Sequence, residues 1–145
     1  LVGEGELTYS DYLPFDFYAP YSYVQTIYLA EELVPGTISS ISYEVDFNST
    51  LSNVPVTVLL GEVGRDRFYG DDNSTDFIPA DSLTQVFSGN VSFSETGWVT
   101  ITFDQPFVYS GNNNLVVATV QSRGEEAGVG FDFRTKMHST KRSIR

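Results

Sequence analysis

The fold is decided by the stretch from Phe77 to Val120, FIPADSLTQVFSGNVSFSETGWVTITFDQPFVYSGNNNLVVATV. From Val99 to Phe103 apolar residues alternate with threonines, which is the period-2 pattern of a strand with one buried face. The turn cluster SGNNN follows at 110–114, and Leu115–Val120 is then apolar on both faces, as expected for a strand inside a sheet. The stretch therefore predicts short strands separated by turns, and it contains no catalytic grouping.

The same signals extend over the rest of the chain. Alternation is cleanest from Ile41 to Asn48 and resumes from Val54 to Leu60. Further strands are expected at Leu1–Ser10 (an edge strand), Tyr23–Ala30, Leu83–Ser88, Val91–Phe93, Trp98–Phe103, Leu115–Gln121, a segment containing Val129, Phe131 and Phe133, and Ser143–Arg145. Many short strands, with no helical stripe beyond a single turn at Ala30–Leu33, predict an all-β fold. Our specific prediction is a two-sheet antiparallel β-sandwich, jelly-roll-like.

Two segments lack a strand pattern. Asp11–Ser22 is aromatic and irregular, and its prolines, Pro14 and Pro20, interrupt any ladder. Gly61–Asp81 is the longest stretch without a period and is dense in charge and glycine. A loop of that length in a compact domain is either functional or tied down by other contacts.

Composition limits the class of protein. The 145 residues carry a net charge of −11, which disfavours binding to nucleic acid or to an anionic membrane. There is no cysteine, so disulfides, thiol nucleophiles and thiolate-bound metals are excluded. No linker or repeat divides residues 1–145, which predicts a single domain. Since the sequence starts without Met or a signal peptide, we expect this domain to come from a longer exported protein.

Several segments together resemble a known kind of module. They include LTQVFSG at 83–89, GWVTI at 97–101, PFVYSG at 106–111 and NLVV at 114–117. The sequence resembles a β-sandwich accessory or adhesin-like module that recurs in secreted multidomain peptidases, glycoside hydrolases and adhesins of Bacteroidetes-type bacteria. The resemblance covers nearly the whole chain and implies a secreted or cell-surface protein that binds a carbohydrate or a surface. It carries no catalytic signature, and it departs at Phe77, where such modules commonly have Trp.

The aromatic segment is the first candidate site. Sugar rings present an apolar face that suits aromatic side chains, while nearby polar groups orient the hydroxyls. We expect aromatics of Asp11–Ser22, helped by the loop Arg65–Asp76, to contact a glycan or cell-surface ligand. The candidate contacts are Tyr12, Phe17, Tyr18, Tyr21, Tyr69 and Trp98. The alternative is that the aromatics of Asp11–Ser22 pack across the end of the sandwich.

Trp98 is the only tryptophan, and two interpretations of it stay open. Strict alternation places it opposite the core set of its strand and therefore in solvent. Its position after Gly97, at a strand start, allows a bulge that turns the ring inward.

The acidic loop is the second candidate site. Asp72, Ser74 and Asp76 have the alternating-oxygen spacing of calcium loops, although the glycine and closing glutamate of an EF-hand are missing. Calcium is therefore possible at these three residues, and no cofactor is required. The alternative is an ordinary solvated loop.

Signals for catalysis are weak. His138 is the only histidine and lies in a polar tail, where we expect it to be exposed, and there is no serine nucleophile elbow. The basic end, Lys136 to Arg145, predicts a last strand with solvated side chains, or a junction to a neighbouring domain. We expect a non-catalytic carbohydrate- or surface-binding module; the alternative is a structural spacer or protein-interaction domain that positions a neighbouring peptidase or hydrolase.

Overall fold

In the computed structural model, which describes residues 8–10, 12–70 and 76–145, the chain is built almost entirely from β-strands. The strands are β1 Thr8–Ser10, β2 Ser22–Tyr28, β3 Gly36–Phe47, β4 Leu51–Val63, β5 Thr84–Phe93, β6 Thr96–Tyr109, β7 Asn114–Gln121, β8 Phe131–Thr135 and β9 Ser143–Ile144. Single 3₁₀ turns lie at Ala30–Glu32 and Ala80–Ser82. No helix in the described part of the chain is long and apolar enough to cross a membrane. The all-β prediction is confirmed.

The strands form two antiparallel sheets with the pairing of a jelly roll. The four-stranded sheet has the order β1-β8-β3-β6, and the five-stranded sheet has the order β5-β4-β7-β2-β9. The pairs β1–β8, β2–β7, β3–β6 and β4–β5 arise when a long hairpin of eight strands folds over on itself. Strand β9 adds an edge to the second sheet by pairing with β2. The jelly-roll-like prediction is therefore confirmed.

Some strand boundaries differ from prediction. The two short strands predicted at Leu83–Ser88 and Val91–Phe93 are one strand, because Gly89 and Asn90 stay in the ladder with β4. In contrast, Val129 is exposed and precedes β8. Its neighbours Gly128 and Gly130 have positive φ angles of 87° and 88°, which no regular strand accommodates.

Aromatic side chains pack against one another in the space between the sheets. Phe47, Phe93 and Phe133 are buried, and their rings pack with centroids 5.1–6.0 Å apart. Edge-to-face contacts such as Phe93–Phe133 suit the charge distribution of aromatic rings. Each such side chain contributes about 1.5–3 kcal/mol by burial.

A second hydrophobic cluster lies on the outer face of the five-stranded sheet. Ile27, Val116 and Ile144 project from that face, and Phe68 and Ile78 from the loop between β4 and β5 cover them. The buried side chain of Gln25 on β2 holds this loop, since its Nε2 donates to the Ile78 carbonyl (2.7 Å) and its Oε1 accepts from the Ile78 N–H (2.8 Å). The described part of the long loop is therefore tied down by packing and hydrogen bonds.

Candidate functional site

The aromatic segment before β2 divides between the core and the surface. Phe17 is 1 % exposed, and its ring lies 5.5 Å from Phe93 and 6.0 Å from Phe47. The prediction that Phe17 contacts a ligand was therefore wrong, because no face of the ring is open to one. The packing alternative holds for Phe15 and Phe17, which are both buried in the aromatic core.

Two polar side chains of β7 hold this segment against the sandwich. Thr119 Oγ1 donates to the Pro14 carbonyl (2.5 Å), and Gln121 Nε2 donates to the carbonyls of Asp16 (2.8 Å) and Ala19 (3.0 Å). Both side chains are buried, which explains why a strand with apolar faces carries polar residues here. The remaining aromatics of the segment are thus displayed on a fixed backbone.

Tyr12 and Tyr18 form a surface pair beside a partly exposed ion pair. Their ring centroids are 5.7 Å apart, and the Arg145 guanidinium lies 4.0 Å from the Tyr12 centroid. Arg145 Nη1 also donates to Asp16 Oδ2 (2.9 Å), while Asp16 Oδ1 accepts the Tyr18 N–H (2.9 Å). The prediction that side chains of the basic end are solvated was wrong for Arg142, which is buried and paired with Glu32 at 2.7 Å.

Asp16 and Arg145, but not Tyr12 or Tyr18, line a cleft that we name the Tyr21 cleft. It has a volume of about 570 Å³ and is lined by Asp16, Ala19, Tyr21, Ser22, Tyr23, Phe77 and Arg145. Tyr21 is 64 % exposed at its edge. Tyr23 stacks against Phe77 with centroids 5.1 Å apart, and its hydroxyl accepts a hydrogen bond from Gln25 Nε2 (2.7 Å). Burial raises the pKa of Tyr23, so this hydroxyl stays protonated at neutral pH.

Sequence reasoning missed Asp16, Phe77 and Arg145 as members of this cleft. Asp16 and Arg145 are 129 positions apart, and Tyr23 and Phe77 belong to different segments. Because no periodicity links such positions, only the fold brings them together. The one available signal was the excess of basic residues from Lys136 to Arg145, which is consistent with a carboxylate partner in the acidic remainder of the chain.

Trp98 lies on the other sheet. It is 56 % exposed on the outer face of β6, and its backbone pairs with Glu44 of β3. Alternation thus decides the orientation, and Gly97, with a φ of 105°, does not turn the ring inward. Trp98 is exposed as a ligand contact requires, but it is not part of the Tyr21 cleft.

Tyr69 and Asp76 lie in the loop between β4 and β5. Tyr69 is 76 % exposed, and the Arg65 guanidinium is 5.6 Å from its ring. Asp76 Oδ2 accepts from Arg65 Nη2 (2.6 Å) and from the N–H groups of Tyr69 (2.6 Å) and Gly70 (3.1 Å). The hydrogen bond from Arg65, followed by those from Tyr69 and Gly70, lowers the pKa of Asp76 to about 2.

These contacts bear on the predicted calcium site. Asp72 and Ser74 lie outside the described residues, and no group of three metal-binding carboxylate or imidazole side chains occurs within them. Asp76 already has a cation as its partner, since Arg65 forms an ion pair with it. The described part of the loop therefore offers no support for calcium.

Comparisons with known proteins do not place the chain in a family. No family model matches it, and neither a curated protein nor a solved structure does. The resemblance to an accessory or adhesin-like module therefore stays a prediction.

Proposed function

We propose that this protein is a non-catalytic glycan-binding module of a secreted or cell-surface protein, with the Tyr21 cleft as its binding site. The observation that carries the proposal is the exposed ring of Tyr21 beside the Asp16–Arg145 ion pair. Of the aromatic side chains that line the cleft, Tyr21 is exposed, and Tyr23 and Phe77 are half-buried. A structural spacer has no reason to hold an exposed aromatic ring at a concave surface.

The chemistry of the cleft suits a sugar. The faces of Tyr21 and Phe77 offer apolar surface for the C–H face of a pyranose ring. Asp16 accepts and Arg145 donates hydrogen bonds, so sugar hydroxyls find partners of both kinds. Because Tyr23 is held by Phe77 and Gln25, and Asp16 by Arg145, little side-chain freedom is lost on binding.

The charge of the chain narrows the class of glycan. With 19 acidic against 8 basic residues, the protein repels polyanions such as uronate-rich or sulfated polysaccharides. We therefore expect a neutral polysaccharide or oligosaccharide as the ligand.

Affinity electrophoresis on neutral polysaccharides, followed by a glycan array, tests the proposal. Tyr21→Ala should weaken binding at least tenfold, which corresponds to about 1.4 kcal/mol. Trp98→Ala is the matched control, because it removes an exposed aromatic from the other sheet and should leave binding unchanged.

Two outcomes would count against the proposal. If no neutral or charged glycan is retained, the spacer or protein-interaction function becomes the better explanation. If Trp98→Ala abolishes binding and Tyr21→Ala does not, the site lies on the four-stranded sheet.

A further inference from the structure

Strand β3 has a paired and an unpaired side along much of its length. Strand β6 pairs with it from Gly36 to Asp46, whereas β8 pairs with it at Val45, Asp46 and Phe47. After β8 the chain leaves this sheet and crosses to the other one, where β9 joins β2. Within the described residues, Ser40–Glu44 therefore has no partner strand on the β8 side.

The directions of the backbone groups follow from the bonds at the end of β3. The N–H of Phe47 donates to the Glu95 carbonyl on the β6 side, and the N–H of Asn48 donates to the Gly130 carbonyl on the β8 side. Successive residues of a strand direct their N–H and C=O groups to alternate sides. The backbone groups of Ser40 and Ser42 and the N–H of Glu44 therefore point to the unpaired side. The Glu44 carbonyl faces the N–H of Arg134, since Val45 is in register with Phe133. This is the arrangement of an open sheet edge that an added strand can extend.

A cavity of about 570 Å³ lies along this edge, and we name it the β3 cleft. Every residue from Ser40 to Glu44 lines one wall, and Arg134–Lys136 lines another. This volume lies within the range of about 300–1,000 Å³ typical of ligand sites. The cleft thus occupies the place that a longer β8 would fill.

The floor of the cleft is apolar and belongs to the space between the sheets. It includes Tyr28, Leu33, Ile41, Tyr43 and Leu115. Burial raises the pKa of Tyr28 to about 12 and that of Tyr43 well above its ordinary value. Both hydroxyls are therefore protonated at neutral pH and can donate a hydrogen bond.

We propose that the β3 cleft binds an extended peptide segment of another protein, which pairs with Ser40–Glu44 and directs alternate apolar side chains onto the floor. An extended backbone supplies both donors and acceptors to Ser40, Ser42 and the N–H of Glu44, which an apolar small molecule does not. The alternation matches the cleft, because one side of an added strand faces Ile41 and Tyr43 and the other faces solvent. This site is separate from the Tyr21 cleft and does not depend on glycan binding.

Amide hydrogen exchange on the intact protein tests the open edge directly. The amides of Ser40, Ser42 and Glu44 should exchange at least tenfold faster than those of Ile41 and Tyr43, which face β6. Equal protection of both sets in the free protein would overturn the proposal, since the chain would then close its own cleft.

A random heptapeptide phage library, selected on the intact protein, supplies the peptide. The strongest synthetic binder should slow exchange at Ser40, Ser42 and Glu44 at least tenfold. The same peptide with alternate backbone nitrogens methylated should bind at least tenfold more weakly, because it keeps the side chains but loses ladder donors.

Two proline variants give a matched comparison. Ser42→Pro removes an N–H that points into the cleft and should abolish peptide binding. Thr100→Pro, directly opposite in β6, removes an N–H that points outward from the sheet edge, where proline is tolerated, and should retain binding. Both variants lose the same Ser42–Thr100 hydroxyl hydrogen bond (2.7 Å).

Several results would overturn the proposal. They are the absence of any enriched peptide, equal binding to both proline variants, or a bound peptide that does not slow hydrogen exchange at the amides of Ser40, Ser42 and Glu44. A concentration-dependent dimer that protects the same amides would identify a second copy as the occupant instead. If Ser42→Pro does not fold, the exchange pattern and the methylated peptide decide the outcome.

Discussion

The outer faces of the two sheets differ in what covers them. On the five-stranded sheet, Phe68 and Ile78 from the long loop bury Ile27 and Val116 in a second hydrophobic cluster. On the four-stranded sheet, the outer face is open, and Ser42 and its partner Thr100 are exposed. The covered face explains why β7 is apolar on both sides, whereas the open face explains the strict alternation of β3 and β6.

The difference also shapes the surfaces available for binding. The loop that covers the five-stranded sheet brings Phe77 against Tyr23 and so builds one wall of the concave Tyr21 cleft. The open sheet instead presents Trp98 on a pleated face of polar side chains. We therefore place the proposed glycan site on the covered sheet, where Tyr21 is exposed beside the Asp16–Arg145 ion pair.

The largest expected effect comes from removing an aromatic side chain from the covered face. Phe68→Ala should lower the free energy of unfolding by about 3–5 kcal/mol, because it leaves a cavity in the second cluster. Trp98→Ala, on the open face, should change it by no more than about 0.5 kcal/mol. Urea denaturation of both variants measures the difference, and equal losses would show that the loop does not cover the sheet as described.

A smaller effect is expected at the hydrogen bonds that hold the loop. Gln25→Leu keeps the side-chain volume but leaves the buried N–H and C=O of Ile78 without their partner. We expect a loss of about 2–3 kcal/mol in the free energy of unfolding. Gln85→Leu, on the exposed side of β5, is the control and should change it by no more than about 0.5 kcal/mol. A stabilised Gln25→Leu variant would show that the loop is held by apolar contacts alone.

Much of the fold was predictable from sequence because it rests on local patterns. The alternation from Ile41 to Asn48 identified the inner and outer faces of β3, and the turn residues located most strand ends. Errors arose where pairing overrides local preference, as at Gly89, which continues in the ladder of β5 opposite Val56. Propensity describes a residue alone, whereas a ladder depends on its partner.

The candidate site was predictable only in part. Of the predicted contacts, Tyr21 lines the Tyr21 cleft, whereas Tyr12 and Tyr18 lie outside it and Phe17 belongs to the core. In an irregular segment, no periodic sequence pattern indicates which aromatic side chain points into the core. The direction of Phe17 depends on the backbone anchors from β7, which lie about a hundred residues later in the chain.

The smallest expected change in stability comes from Asp76, in the loop between β4 and β5, and it depends on pH. The pKa of Asp76, about 2, lies below its ordinary value of 3.8, mainly because of the hydrogen bond from Arg65. A lowered folded-state pKa means that this contribution to stability is complete above about pH 4 and is lost as the pH falls toward 2. Asp76→Asn should therefore be less stable than the wild type at pH 6, and this difference should shrink between pH 4 and pH 2.

Urea midpoints at these pH values measure the difference in stability. Asp81→Asn, which changes an exposed carboxylate of the next turn, is the control. A difference that stays constant across this range would mean that Asp76 supports the covering loop through its shape and neutral hydrogen bonds, and not through its charge.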